Sequence, residues 1–332
     1  MKPLHIPVLL DEVLTAFNSA NNEYLTKAKM KSGQIKISNT QNLQKIPAFI
    51  DCTLGYGGHS SAILERFKGA KLIACDQDEN AYNHALIKFS QELASGQMSV
   101  YNCNFSDIFK HIDLEKIEIK GVLADIGISS PQIDINERGF SLNSQNLDMR
   151  MSAKNPLNAQ IILNEYPKNE LCRVLKDYGQ LPNASFLADK IISARAKQRI
   201  ISAQDLSDII GSAKLRGRDI SLMRLVMQAL RIEVNDELFV LRELLDNLER
   251  LKPSKCVVCV ICFHSLEDKI VKERFKIWSK NCICNERALR CVCGNNHALG
   301  QILNKKPIVS SPAQIKANPR ASCAKMRVFE FN

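Results

Sequence analysis

The chain has 332 residues, 45% of them hydrophobic and 24% charged, an ordinary balance for a soluble globular enzyme and enough length for one large domain plus a smaller subdomain. Its 45 basic against 35 acidic residues leave a net charge of +10, which points to a polyanionic partner, nucleic acid before membrane, over the blander reading of a generally basic proteome. Residues 1–7 carry no long apolar run and no later stretch offers about 18 uninterrupted apolar residues, which argues against a secretion leader or a membrane span and for the cytoplasm.

In chain order, residues 8–14 read as a short leading helix and 19–45 as a polar loop or insertion with few large apolar residues. Strands are then expected over 48–53, 71–76, 98–103 and 121–126, with helices between them such as 80–93. The pattern is βαβαβαβ, so the fold class is α/β and the sheet parallel with right-handed crossovers. After the fourth strand the rhythm breaks. Residues 134–220 hold loops and the helical segments 168–176, 185–197 and 203–213 with no convincing strand, which makes them a candidate inserted helical subdomain. A long helix over 222–251, with room for a break, ends at Pro253, and the unbroken apolar run 256–263 is a fifth strand buried on both faces. A helix over 267–280, a cysteine-bearing loop and a terminal strand over 325–331 complete the chain. Of the twelve cysteines, Cys75, Cys256, Cys259 and Cys262 lie inside apolar strand runs, where small buried thiols are expected before disulfides.

Ligands of open parallel sheets gather beyond the carboxyl ends of the strands. The first strand runs into Asp51-Cys52-Thr53-Leu54-Gly55-Tyr56-Gly57-Gly58-His59-Ser60, a glycine-dense turn at a helix N-terminus, where a cofactor can lie against bare main chain. The turn has neither the G-x-G-x-x-G of a dinucleotide binder nor the G-K-[ST] of a phosphate loop, and alone it is as readily a tight turn as a site. Asp76, about twenty positions on at the end of the second strand, is placed to accept hydrogen bonds from ribose hydroxyls, and Phe105 after the third strand to stack on an adenine ring. Their bland readings are a strand-end turn residue and core packing; together with the glycine turn they point to an adenosine-bearing cofactor.

The fourth strand ends in Asp125-Ile126-Gly127-Ile128-Ser129-Ser130-Pro131-Gln132, a carboxylate, two hydroxyls, a stiff proline and an amide. Hydride transfer has no particular need of such a cluster. Methylation of an exocyclic amine does: the nitrogen's lone pair is delocalised into the base, so acceptors must hold its hydrogens while it lines up with the methyl of a sulfonium donor. Turn-forming by Ser and Pro is the simpler alternative.

These strings resemble the bacterial 16S ribosomal RNA (cytosine-N4)-methyltransferase family, and the likeness runs almost end to end. It is carried by residues 5–14, the glycine turn, residues 125–134, Arg138-Gly139-Phe140-Ser141, Leu147-Asp148-Met149-Arg150-Met151 and Tyr178-Gly179. It continues through Gln228-Ala229-Leu230-Arg231-Ile232-Glu233-Val234-Asn235, Phe263-His264-Ser265-Leu266-Glu267-Asp268 and Asn318-Pro319-Arg320-Ala321. The resemblance implies a Rossmann-like class I S-adenosyl-L-methionine-dependent methyltransferase sheet with an inserted helical subdomain. It implies cofactor contacts from Gly57, Gly58, His59, Asp76, Phe105, Asp125 and Gln132, and a cytosine in the decoding region (the P site) of small-subunit rRNA as the modified base. Two departures stand out. The polar insertion 19–45 is longer than usual, and a His-Pro-Ala-Thr-Arg-x-Phe type run is replaced by residues 220–227, with Arg224 displaced by one position.

Two constellations remain. In residues 263–268, Ser265 as N-cap with Asp268 three residues on reads as a capping box, which leaves His264 to face the substrate edge in a base-positioning role rather than to sit in the core. Cys282, Cys284, Cys291 and Cys293 are four thiols within a short loop. C-x-C pairs are less usual in zinc knuckles than wider spacings, so free thiols in a basic, RNA-facing loop are preferred to a zinc set. Arg195, Lys197, Arg199, Lys214, Arg216 and Arg218, with Arg287, Arg290, Lys305 and Lys306 near the cysteines, form a phosphate-neutralising set, though any one of them alone is better read as a solvated face.

The expected organisation is a methyltransferase domain over 1–133 and 221–332 and a substrate-recognition subdomain over 134–220. Asp125, Ser129, Ser130 and His264 form the catalytic set, S-adenosyl-L-methionine is the cofactor, and 16S rRNA, within an assembled small subunit, is the partner. The target base is flipped into the pocket, and no covalent adduct is needed because N4 is itself the nucleophile. An RNA-binding assembly factor without chemistry and a nicotinamide-dependent oxidoreductase are the rival readings, opposed by the cofactor residues and the glycine spacing. The sequence leaves the oligomeric state open, a dimer included.

Overall fold

Strand alternation divides the apolar residues of an interior strand between two cores. In Val257–Cys262 (β5) every residue is buried; Val258, Val260 and Cys262 pack on one side of the sheet, Val257, Cys259 and Ile261 on the other. A computed structural model describes residues 7–20, 45–211, 213–214, 220–285 and 290–332. The polar stretch 19–45, apart from its ends, and Arg216, Arg218 and Arg287 lie outside the described residues.

The chain forms two compact units, Met1–Gly127 with Val240–Asn332, and Ile128–Phe239. The second begins before 134 and ends after 220, so it is wider than the helical insertion read from the sequence. In the first unit, helix α1 (Leu10–Ala20) precedes strand β1 (Ile46–Asp51). There follow α2 (Gly58–Arg66), β2 (Lys71–Cys75), α3 (Glu79–Lys88), α4 (Ser90–Ala94), β3 (Met98–Tyr101) and β4 (Ile117–Asp125). After the second unit the chain resumes with most of α11 (Glu237–Leu251), then β5, α12 (Ser265–Trp278), β6 (Gly300–Ile302), β7 (Ile308–Val309), α13 (Pro312–Ala317) and β8 (Lys325–Phe331).

The sheet has eight strands in the order β3-β2-β1-β4-β5-β8-β6, with β7 also paired to β8. β1 to β5 are parallel and β8 runs antiparallel to β5. One face is covered by Leu241, Leu244, Leu245 and Leu248 of α11 and by Val271, Phe275 and Trp278 of α12. The other face packs on Val13 and Phe17 of α1, Ile63 and Leu64 of α2, and Ala85 of α3. Both faces are therefore dry, as a parallel sheet requires. The thiols of Cys52, Cys75, Cys256, Cys259 and Cys262 are buried, and burial raises each well above the usual thiol range.

The expected strands are present, shifted by a residue or two at their ends, except that β4 begins four residues earlier, at Ile117 instead of 121. β6 and β7 are too short to leave a periodic signal. The long helix over 222–251 is two helices, α10 (Leu222–Asn235) and α11, because Asp236 takes a left-handed conformation at φ 51°. Residues 80–93 are likewise split, into α3 and α4.

The second unit is helical: α5 (Ser130–Asp134), α6 (Ala159–Glu165), α7 (Lys168–Asp177), α8 (Ala184–Arg195), α9 (Ala203–Ile210) and α10, around Leu163, Leu171, Leu175, Ile191, Leu206, Val226 and Leu230. Side-chain caps set the helix starts: Asn158 accepts from Ile161 N–H, Ser202 and Asp205 form a reciprocal box, and Ser221 accepts from Arg224 N–H. Among the described residues no helix is long and apolar enough to cross a membrane.

Candidate active site

In the first unit the parallel strands β1, β2 and β4 each deliver an aspartate at or just past their carboxyl ends. Asp51 closes β1, fully buried; its Oδ1 accepts Thr53 N–H at 3.1 Å and its Oδ2 the Ser60 hydroxyl at 2.6 Å, which fastens the glycine turn to the first turn of α2. Asp76 follows β2 and accepts Gly55 N–H at 2.8 Å on Oδ2 and Asp78 N–H at 2.8 Å on Oδ1. Asp125 ends β4, its own N–H donating to Thr53 Oγ1 at 2.7 Å. Its Oδ2 lies 3.8 Å from His59 Nδ1, while Oδ1 is sealed from solvent with no hydrogen-bond partner among the described residues.

Among the described residues no lysine or arginine pairs with Asp51, Asp76 or Asp125. Burial therefore dominates their titration. It raises Asp51, raises Asp76 to about 6 against the relief of its two backbone donors, and pushes Asp125 up to about 8, with the charges of Asp51 and Glu267 adding to the effect. Near neutral pH Asp125 holds a proton, and a cation delivered to this edge would displace it. Buried acidity without its own counter-charge and an unsatisfied carboxylate oxygen fit a positively charged ligand such as a sulfonium.

His59 is buried, and its Nε2 donates to the Val8 carbonyl at 3.0 Å, which leaves Nδ1 as the acceptor facing Asp125. Burial lowers it to about 4, so it is neutral. The glycines of the turn answer to packing. Gly57 caps α2 at φ 72°, and a Cβ there would meet the Phe89 ring at 2.5 Å; at Gly58 it would meet Pro7 Cγ at 2.4 Å. Only their backbone is left to face a ligand. Lys88 braces the same turn, its Nζ donating to the carbonyls of Tyr56 at 2.8 Å and Gly57 at 3.1 Å. Phe105 opens a short 3₁₀ turn and packs half-buried against the sheet core.

At the end of β5 the structure corrects the capping assignment. The N-cap of α12 is His264 and its partner is Glu267, not Ser265 with Asp268. Glu267 accepts from Phe263 N–H at 2.7 Å and His264 N–H at 3.1 Å; His264 Nδ1 accepts Glu267 N–H at 3.4 Å, and its Nε2 lies 2.8 Å from Glu267 Oε1. Asp268 is instead drawn to Arg327, a two-bond pair at 2.6 and 3.1 Å. Both ring nitrogens of His264 thus face its own cap.

Ser129, Ser130 and Gln132 belong to the second unit. Ser129 N–H donates to Gln132 Oε1 at 3.0 Å in the capping box of α5, with Gln132 buried. Of the basic set, Arg195 donates to the Leu163 carbonyl at 3.0 Å and Arg199 reaches Glu165 at 3.4 Å, so these two brace the unit's own helices. Asp51, Glu267 and Lys88 were not singled out from the sequence. Asp51 carried the same signal as Asp76 and Asp125, an acidic residue closing an apolar run.

A mostly parallel sheet with aspartates at its ligand edge, beside a glycine turn and joined in one chain to a helical unit, is a Rossmann-like methyltransferase. The model of the MraW methylase family matches residues 2–332, and the chain belongs to that family. It is 47% identical over 331 residues to the ribosomal RNA small subunit methyltransferase H of Campylobacter jejuni, covering 99% of this chain and 96% of that one. The protein of the same name from Campylobacter lari is 49% identical over 335 residues, covering 100% of both chains, and that from Campylobacter curvus 46% over 335, covering 100% and 99%.

Proposed function

We propose that this protein transfers a methyl group from S-adenosyl-L-methionine to the exocyclic N4 of a cytosine in the decoding region, at the P site, of 16S rRNA within the small ribosomal subunit. Asp125 carries this reading: a carboxyl at the ligand edge with one oxygen sealed and unsatisfied, held protonated by desolvation and by the charges of Asp51 and Glu267. The names of the relatives support small-subunit rRNA as substrate, and the net charge of +10 suits a polyanion. The cytoplasm, where ribosomes work, is the compartment this reading requires.

The residues that would hold the cofactor are the backbone at Gly57 and Gly58, His59, Asp76 toward ribose hydroxyls, Phe105 toward the adenine, Asp125 and Gln132. When bound, S-adenosyl-L-methionine supplies an electrophilic methyl on a positively charged sulfur. That charge favours the ionised form of Asp125, which converts it from a donor into an acceptor able to hold a hydrogen of the cytosine amine. Ser129 and Ser130, close behind in the chain, are assigned to the same amine. His264 acts as a positioning residue: its contacts fix Glu267, one of the two charges that hold Asp125 poised. Most of the cofactor-holding residues come from the first unit, while Gln132, Ser129 and Ser130 and the role of recognising RNA come from the second.

Tritiated methyl transfer to small subunits from a strain lacking the enzyme tests the reading. Label in a single N4-methylcytosine is expected; cofactor binding without any methylated cytosine, or no cofactor binding, would overturn it.

A further inference from the structure

Two Cys-x-Cys turns, Cys282-Ile283-Cys284 and Cys291-Val292-Cys293, face each other in the loop between α12 and β6. One sulfur from each of the four cysteines lies within 4.8 Å of all the others. Cys282 and Cys291 are 3.6 Å apart, Cys291 and Cys293 3.5 Å, and Cys282 and Cys293 3.8 Å. Four sulfurs placed tetrahedrally around a zinc ion, with bonds of about 2.3 Å, stand about 3.8 Å from one another. Disulfides would instead join them in pairs at about 2.05 Å. The spacing is that of a shared ion.

The backbone is arranged to the same end. Ile283 N–H donates to Cys293 Sγ at 3.4 Å and Val292 N–H to Cys284 Sγ at 3.3 Å, so the middle residue of each turn donates to a sulfur of the other. Donors of this kind favour thiolate over thiol. His297 closes the loop: its N–H donates to the Asn281 carbonyl at 3.0 Å, and its Nε2 to the Cys293 carbonyl at 2.7 Å.

Among the described residues no apolar core does this work. Among the described residues of 281–297 none is buried, and the two side chains that could have formed a core, Ile283 and Val292, are 64% and 88% exposed. A segment that orders without burying apolar surface needs a cross-link. Free thiols, the preferred sequence reading, give no reason for four sulfurs to converge from two matching turns.

We propose that Cys282, Cys284, Cys291 and Cys293 bind one structural Zn²⁺ as four thiolates, their protons passing to solvent. With four protein sulfurs the coordination shell is closed, so the ion holds the loop and activates no water. This site stands apart from methyl transfer and does not depend on it.

Metal analysis by mass spectrometry, on protein purified under reducing conditions without chelator, tests it. About one zinc per chain is expected, with Co²⁺ exchange giving the intense visible bands of a tetrahedral thiolate site. Replacing Cys291 and Cys293 together by Ser should reduce zinc to less than about a tenth of an equivalent, while Cys323→Ser, outside the loop, should keep it. Less than about a tenth of an equivalent in the reduced wild-type protein, iron in place of zinc, or full zinc in the double variant would each overturn the proposal. The wild-type stoichiometry and cobalt spectrum decide it even where the variant fails to fold.

Discussion

The family-specific strings fall in two regions that treat their polar residues differently. At the edge of the sheet, Asp125 keeps an oxygen without a partner, and among the described residues no cation pairs with the buried Asp51 or the half-buried Asp76. In the helical unit the strings brace one another. Asn235 accepts Met151 N–H at 2.8 Å and donates to the carbonyls of Met149 at 2.8 Å and Arg231 at 2.9 Å. Arg150 grips Asp148 through two bonds of 2.8 Å and also reaches the Asn155 carbonyl at 2.9 Å, while Arg138 donates to the Arg150 carbonyl at 3.0 Å. Unsatisfied groups mark where a ligand acts; satisfied ones mark what shapes the scaffold.

The contrast breaks if residues of the two regions respond alike. The largest effect is expected for Asp125→Ala, with methyl transfer down at least about a hundredfold and the far-ultraviolet circular dichroism and melting temperature preserved. Wild-type turnover would remove Asp125 from the chemistry. Asn235→Ala should do the opposite, costing about 2–4 kcal/mol in denaturant unfolding because three backbone groups lose a buried partner, with cofactor affinity in the folded protein nearly unchanged. Stability within error of wild type would mean the helical strings are not braces. Gly57→Ala should cost about 2 kcal/mol, from its left-handed backbone and the displaced Phe89 ring, and unfolding titrations would register it.

A smaller effect is read from pH. A carboxyl raised on folding contributes stability that is present below its ordinary value of 3.8 and lost as pH rises through its folded value, about 8 for Asp125. His59, lowered to about 4, works the other way, but only below 6.5. Between pH 6.5 and 8 the stability of the ligand-free wild type relative to Asp125→Asn should therefore fall as pH rises; parallel curves for the two proteins would refute the titration assigned to Asp125.

Much of the sheet was legible because its strands are apolar runs closed by a carboxylate or a glycine, a pattern that burial on both faces forces. Asp51 could have been read the same way. The cap of α12 could not: Ser265 is a usual N-cap residue and His264 is not, and only the point where β5 stops, at Cys262, decides that the ring accepts from Glu267 N–H. Nor could the reason for Gly57 and Gly58, since Phe89 and Pro7 come from distant parts of the chain. A break in the helix over 222–251 is allowed for in the sequence; its place, Asp236, is set by a left-handed backbone that the apolar pattern does not mark.

The most direct test of the central claim, that Asp125, with one oxygen sealed and no cation paired to it among the described residues, awaits a cationic cofactor, is calorimetric titration of S-adenosyl-L-methionine at pH 7.5 in buffers of different ionisation enthalpy. Wild-type protein should release protons on binding, because the incoming charge lowers a carboxyl that sits at about 8, and Asp125→Asn should release none from this site. Equal proton release from both proteins would contradict the account.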